Sequence, residues 1–225
     1  MGTVKRKEIS QSFYYDGRRK KWIEEHFVKP CIPSVENVDS WINEWKLTVG
    51  YPEQESALNK LFLELCPNNT CLDDILIKVC ALNDFYSTNI YKVFDVAKII
   101  LDMGIDDRLS SDIVDASIVD ELVKRTKDIT GRSIYSFATK YCSHHRSSLY
   151  PIYDSYVDIL LRYYRDHEKS NDFSFSDKDL KCYSSFIQVE NDFKKHFGLS
   201  YYNAKQIDKF LWQEGKKCFP RWKTQ

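Results

Sequence analysis

Apolar residues recur three and four positions apart along most of the chain, which is the spacing of one helix face. The clearest stripe consists of Ile90, Val93, Phe94, Ala97, Ile100 and Leu101. The polar run 87–89 precedes this stripe and Gly104 follows it, so the sequence predicts a core helix between them. Further amphipathic segments are predicted at about 53–66, 71–82, 118–127, 133–146, 155–167, 179–197 and 203–216.

Composition agrees with a helical chain. There are 7 glycines and 6 prolines in 225 residues, too few for the many turns of a sandwich or barrel. The segment 171–176 is predicted to be a long loop, while Thr70 and Ser117 are predicted to cap the helices that follow them. The predicted fold is therefore all-α, with residues 1–225 in one compact helical domain or in two interlocked helical subdomains.

The sequence shows no targeting or membrane signal. No apolar stretch is long enough to span a bilayer, and the first residues are polar where an export signal would be apolar. The seven cysteines are scattered and lack the paired spacings of a metal site, which is typical of buried thiols in a reducing compartment. We expect a cytoplasmic protein with no metal, no cofactor and no membrane partner.

Charge is balanced overall but segregated along the chain. Lys and Arg number 33 and Asp and Glu number 33. Residues 68–122 hold 4 basic and 11 acidic side chains, whereas residues 123–150 hold 6 basic and 1 acidic. Residues 1–30 and 194–225 are also basic. If the three basic segments meet in space they form a phosphate-binding face, and if they do not, each is a solvated helix surface.

Residues 131–157 form the densest group of chemically active side chains. Gly131-Arg132-Ser133 opens the segment, and Pro151-Ile152-Tyr153-Asp154-Ser155-Tyr156-Val157 closes it. This order resembles the helix-hairpin-helix DNA glycosylase superfamily, in which a glycine-containing hairpin leads into a helix and a Pro-x-x-Asp-x-x-Val element opens the next. Segments 82–86 and 207–212 also resemble uncharacterised bacterial proteins.

The resemblance implies a helix-hairpin-helix glycosylase-like bundle, with the hairpin and the Asp element within 123–167. It implies DNA as the partner and hydrolysis of the N-glycosidic bond of a damaged or unusual base as the reaction. Asp154 then holds the catalytic position, because a carboxylate stabilises the positive charge that builds on the sugar. The alternative is that Asp154 only caps the helix that follows it.

The resemblance also assigns the DNA contacts. Gly131, Arg132 and Ser133 would hold a phosphate through the hairpin, with Lys140 and Arg146 contributing further positive charge. Ile129 stands where the family usually has a second glycine, so Gly131 could equally be a plain helix terminator. Lys140 lies about two turns beyond the place of the family's nucleophilic lysine and is expected to face elsewhere, which favours a monofunctional enzyme.

Four aromatic or imidazole side chains near Asp154 are candidates for a base pocket: Tyr135, Tyr153, His144 and His145. A base taken out of the helical stack needs flat side chains to stack on and polar edges to read it. The simpler alternative is that these rings belong to the core.

Two other functions fit the sequence. The chain could be a non-catalytic helical module that binds nucleic acid or protein. It could also be a helical ribonuclease, because Arg162 and His167 have a spacing similar to the Arg-x4-6-His element of a large ribonuclease superfamily. Tyr163 stands where that element usually has a polar residue.

Overall fold

The computed structural model describes residues 25–168 and 172–220, and within them the chain is helical and contains no strand. The α-helices in chain order are α1 (Val35–Leu47), α2 (Tyr51–Asn59), α3 (Leu72–Tyr86), α4 (Val93–Met103), α5 (Asp106–Ser110), α6 (Ser117–Thr130), α7 (Tyr135–His145), α8 (Ser155–Glu168), α9 (Tyr183–His196) and α10 (Ala204–Cys218). Helix α2 continues into a π-helical segment, Lys60–Leu65, and a 3₁₀ turn, Asp179–Lys181, precedes α9. The all-α prediction is confirmed.

Helix α4 begins three residues later than the apolar stripe predicts. The Asn83 side chain holds Ile90 outside the helix, accepting from its N–H at 2.8 Å and donating to its C=O at 3.0 Å. Phe94, which the stripe places inside, is exposed, whereas Gly104 ends the helix as predicted with a left-handed φ of 56°.

The first turns of two helices also differ from the predictions. Cys71, rather than Thr70, precedes α3, and it makes no side-chain cap. Ser117 is the first residue of α6 instead of its cap, and its N–H and hydroxyl both bind the carboxylate of Asp115. Helices α1 and α5 have no counterpart among the predicted segments.

Helices α7 and α8 form the centre of the core. Helix α7 packs against α3 and α6, while α8 packs along α10, which also contacts α1. The predicted inward positions Phe137, Ala138 and Tyr141 on α7 are all buried. Both helices are buried on most sides, so the segment that joins them, 146–154, is fixed by the core at each end.

Helices α8 and α10 approach most closely at a glycine. A Cβ added to Gly215 would lie 2.9 Å from both the Cβ and the carbonyl oxygen of Tyr156. Only glycine therefore allows α10 to reach the first turn of α8, which directly follows Asp154. Within the part of the chain that the structure describes, no helix has the length and apolar character needed to cross a bilayer.

Candidate functional site

Asp154 caps α8 with one of its two carboxylate oxygens. Its Oδ1 accepts the backbone N–H groups of Tyr156 at 2.8 Å and Val157 at 2.9 Å, as the cap prediction requires. The other oxygen, Oδ2, accepts no hydrogen bond from any residue that the structure describes. Capping and chemistry are therefore compatible in this side chain, since one oxygen orients the carboxylate and the other is available.

Two cavities meet at Asp154. The larger one, which we call the cleft, has a volume of about 480 Å³ and is open to the surface. The smaller one, which we call the recess, is more enclosed and lies between α2, α3 and α10. Residues that line both cavities are Phe85, Tyr86, Lys140, Asp154 and Trp212. Asp154, with its available oxygen, therefore lies at the boundary between the cleft and the recess.

The cleft is lined by small hydroxyl side chains together with aromatic rings. The small hydroxyl side chains are Ser87, Thr88, Ser133, Ser136 and Ser155. Hydroxyl groups and an ammonium group are donors for phosphate and sugar oxygens. The cleft therefore has the chemistry of a site for a sugar-phosphate chain.

Lys140 points into this junction. It is only 4% exposed, its Nζ donates to Ser136 Oγ at 2.7 Å, and it lies 5.1 Å from the centre of the Tyr86 ring. The expectation that Lys140 faces elsewhere than the hairpin place near Ser133 is corrected, because Ser133 and Lys140 line the same cleft. The lysine supplies positive charge next to the carboxylate.

Tyr86 is held in place by one of the two predicted histidines. Its hydroxyl lies 2.9 Å from Nε2 of His144, which is buried. Burial lowers the pKa of His144 to about 3, so the ring is neutral and shares one hydrogen bond with the tyrosine hydroxyl. His144 therefore supports a wall of both cavities.

His145 belongs to a different cluster, so its prediction as a base-pocket residue is wrong. Its Nε2 lies 3.3 Å from the side-chain nitrogen of Asn69 and 3.5 Å from Nζ of the fully buried Lys78. Asn69 also accepts from Lys78 at 2.7 Å and from the Tyr141 hydroxyl at 2.5 Å. Adjacent helical side chains point about 100° apart, which separates His145 from the cavities.

The two predicted tyrosines lie one behind the other. Tyr153 lines the cleft, and its hydroxyl donates to Asp158 Oδ1 at 2.7 Å. Tyr135 packs behind it with the ring centres 4.8 Å apart, so its prediction as a base-pocket residue is corrected to a supporting one. The buried hydroxyl of Tyr135 has no hydrogen-bond partner among the described residues.

The predicted hairpin residues serve different purposes. Gly131 ends α6 in the left-handed region at φ 70°, with its N–H bound to the carbonyl of Lys127 at 2.9 Å, so it is a helix terminator. Arg132 is exposed with its guanidinium 5.3 Å from the centre of the Tyr91 ring, and Ser133 lines the cleft. Ser133 therefore belongs to the cleft, and Arg132 is the exposed residue that precedes it in the chain.

Arg146 does not join them. Its guanidinium donates to the carbonyl groups of Leu109 at 3.3 Å and Ser110 at 2.9 Å, and it pairs with Asp112 at 3.1 Å. These contacts tie the segment after α7 to the end of α5. Arg146 therefore lines neither the cleft nor the recess, and its role as a nucleic-acid contact stays a prediction.

Arg162 and His167 are engaged by different partners. Arg162 pairs with Asp158 at 2.8 Å and with Asp177 at 2.5 Å, which makes it part of the support beneath Tyr153. His167 Nδ1 donates to the Tyr163 carbonyl oxygen at 2.8 Å within α8, and the imidazole stacks on the Tyr163 ring. Both residues have structural contacts of their own in α8.

Aromatic rings and an ionised carboxylate form the walls of the recess. Trp45 stacks on Tyr51 at 5.2 Å and meets Trp212 edge-on at 5.9 Å. Glu55 accepts from Trp45 Nε1 at 2.7 Å, and it pairs with Lys209 at 2.8 Å and Lys205 at 3.3 Å. Burial opposes its ionisation, yet the two lysines hold the pKa of Glu55 below its ordinary value.

The recess brings together residues that the sequence analysis missed. Trp45 and Glu55 come from α1 and α2, whereas Lys205, Asp208 and Trp212 come from α10. The segments 82–86 and 207–212, picked out for their resemblance to bacterial proteins, do supply wall residues, but nothing in their spacing indicated a shared cavity. Lys140 and Lys205, which both line the recess, belong to the predicted basic segments 123–150 and 194–225. Most of the third basic segment, 1–30, lies outside the described residues, as do residues 221–225.

Comparison with known proteins places the chain among bacterial relatives. The family HI_0787_N, an N-terminal domain, matches residues 37–149, a range that includes Lys140 and ends before Asp154. An "Uncharacterized protein" of Haemophilus influenzae (strain ATCC 51907 / DSM 11121 / KW20 / Rd) is 40% identical over 158 residues, which cover 70% of this chain and 74% of that protein. No solved structure matches the chain. The chain belongs to the HI_0787_N family.

Proposed function

We propose that the protein binds DNA in a helix-hairpin-helix glycosylase-like fold and hydrolyses the N-glycosidic bond of a damaged or unusual base. One observation carries the proposal: the available oxygen of Asp154 belongs to a residue at the boundary of two cavities, an open cleft that contains five small hydroxyl side chains and a more enclosed recess. A nucleotide fits this arrangement with its polar sugar-phosphate in the open cleft and its flat base in the recess.

In this arrangement the base enters the recess and the sugar-phosphate remains in the cleft. The bond between the sugar C1′ and the base nitrogen breaks, and its electron pair leaves with the base. The Asp154 carboxylate stabilises the positive charge left on the sugar. The oxygen of a water molecule then bonds to C1′, one of its protons is released, and the departing base nitrogen takes up a proton.

Lys140 contributes charge without a covalent role in this proposal. Its side chain lines the same two cavities as Asp154, and its ammonium group donates to Ser136, in a position to neutralise a phosphate or bind a sugar oxygen in the cleft. The reaction is then hydrolytic and leaves an abasic site. We place this activity in the cytoplasm, because all seven cysteines are free thiols.

The test is binding and base release with a panel of duplexes that each carry one deaminated, alkylated or oxidised base. Salt-sensitive binding together with release of at least one of these bases is the expected result. Binding without release from any duplex would support the non-catalytic binding module instead. Borohydride trapping of a covalent protein–DNA adduct would contradict the hydrolytic route and assign Lys140 as a nucleophile.

A further inference from the structure

The recess contains one carboxyl group that has no partner. Asp208, from α10, lines the recess and makes no hydrogen bond or ion pair with any residue within 25–168 and 172–220. Lys205, one turn earlier on the same helix, turns instead to Glu55. The side chain is half-buried, so its carboxyl oxygens keep their hydrogen-bonding capacity at the wall of the recess. The unpaired carboxyl is therefore available to a ligand there.

The other two carboxylates of the recess have partners. Both oxygens of Glu55 are taken by Lys205, Lys209 and Trp45, and one oxygen of Asp154 caps α8. Among the described residues, Asp208 is therefore the carboxyl group of the recess with both oxygens left for a ligand. A neutral carboxylic acid has a donor and an acceptor side by side, which is the complement of an adjacent acceptor and donor on a ring edge.

We infer that the recess binds a planar nitrogen heterocycle, with Asp208 pairing to an adjacent acceptor and donor on its edge. The inference rests on the proposed function and narrows its substrate class to a nucleobase whose pairing edge carries no alkyl group. The stacked and edge-on rings of Trp45, Tyr51 and Trp212 supply the flat walls. A methyl group on that edge would contact the Asp208 carboxyl group, so a base methylated there would lose the hydrogen bonds to Asp208.

The surroundings of Asp208 keep it neutral over part of the physiological range. Burial raises its pKa to about 7, Lys205 and Lys140 oppose this effect, and Asp154 and Glu55 add to it. Titratable and charged groups surround Asp208 on the helices packed near it. They are Glu55 on α2, Tyr86 on α3, Lys140 on α7, Asp154 before α8, Glu190 on α9 and Lys205 on α10. His144 has a pKa of about 3 and does not titrate in the same window.

The test uses the full chain and free bases, read by the fluorescence of Trp45 and Trp212 in the recess wall. Uracil and hypoxanthine should bind about tenfold or more tightly than 3-methyluracil and 1-methylhypoxanthine, whose pairing edges are blocked. The affinity for uracil should fall about tenfold from pH 6 to pH 8, because only the protonated Asp208 donates to the ring. Equal affinity for the methylated and unmethylated bases would overturn the inference.

Two variants separate Asp208 from its surroundings. Asp208→Leu should bind all four bases as weakly as the parent binds the methylated ones. Asp208→Asn keeps a donor and an acceptor, so it should still prefer the unmethylated bases but lose the change between pH 6 and pH 8. If the leucine variant does not fold, the pH profile of the asparagine variant decides. A parent-like pH profile in Asp208→Asn would overturn the role of Asp208.

The inference and the proposed function fail in different ways. Discrimination between free bases without release of any base from duplex DNA would support the recess site and contradict the glycosylase. Base release from duplexes, together with no discrimination between free uracil and 3-methyluracil, would support the glycosylase and overturn the recess assignment.

Discussion

The hydroxyl of Tyr86 and Nε2 of His144 lie 2.9 Å apart and join the wall of both cavities to the buried face of α7. Tyr86→Phe removes the hydroxyl group and leaves a buried imidazole nitrogen without its partner. We expect a loss of about 1–3 kcal/mol in the free energy of unfolding, measured by urea denaturation. An unchanged stability would show that His144 finds another partner.

Acid should destabilise the protein through its two buried histidines. Burial lowers the pKa values of His144 and His145 to about 3, so between about pH 6.5 and pH 3 the unfolded chain binds protons that the folded chain does not. The contribution of the two histidines to stability should therefore fall as the pH drops below about 6.5, while the raised pKa values of Asp208, about 7, and Glu190, about 8, act in the opposite direction. His144→Gln should reduce this slope by up to about 1.4 kcal/mol per pH unit. Urea denaturation at pH 7, 6 and 5 measures it, and a parent-like slope would contradict burial of a neutral ring.

Gly215 should not tolerate a side chain. In an open helical position, Gly→Ala stabilises a protein by up to about 1 kcal/mol. Here the new Cβ would lie 2.9 Å from Tyr156, so Gly215→Ala should lower the free energy of unfolding by about 1–3 kcal/mol. Thermal denaturation distinguishes the two cases by sign, since a raised Tm would mean that α8 and α10 are further apart.

Phe137 tests the facing of α7. The ring is 1% exposed, so Phe137→Ala should cost about 3–5 kcal/mol of stability. Phe137→Leu is the matched control and should cost less, because it keeps most of the buried volume. Equal stability of the parent and the alanine variant would mean that the helix face is misassigned.

Arg132 and Arg146 form a matched pair for the DNA interface. Each substitution by Ala removes one positive charge from the same basic segment, but Arg132 is exposed beside the cleft whereas Arg146 is bound to α5. Arg132→Ala should weaken duplex binding and reduce the slope of log K against log salt by about one. Arg146→Ala should change stability and leave that slope unchanged, and the reverse pattern would place DNA elsewhere.

The sequence predicted most of the core helices, because their apolar stripes are set by local spacing. It did not predict α1, in which Val38 is the fully buried residue. This helix is held by α10, because the Gln213 side chain donates to the Trp41 carbonyl and Trp41 Nε1 donates to Glu214. The start of α4 was misjudged for a similar reason, since the side chain of Asn83 holds Ile90 out of the helix.

The candidate site likewise combines residues that could be predicted from the local sequence with residues that could not. Asp154 could be predicted because its cap and its neighbours are close in sequence. Asp208 and Glu55 could not, because they reach the recess from helices far from Asp154 along the chain. Lys140 was assigned to the wrong side because α7 is buried nearly all round, so its polar residues do not mark a solvent face.

Single-turnover base release by Asp154→Asn, compared with the parent on the same duplex, tests the central claim most directly. Asparagine caps a helix about as well as aspartate, so the variant should fold and bind duplex as the parent does. Losing the negative charge at the boundary of the two cavities should slow base release by on the order of a hundredfold or more. Asp154→Ser, which also caps without a charge, should behave in the same way. Release at the parent rate by either variant would contradict the catalytic role and leave Asp154 as a helix cap alone.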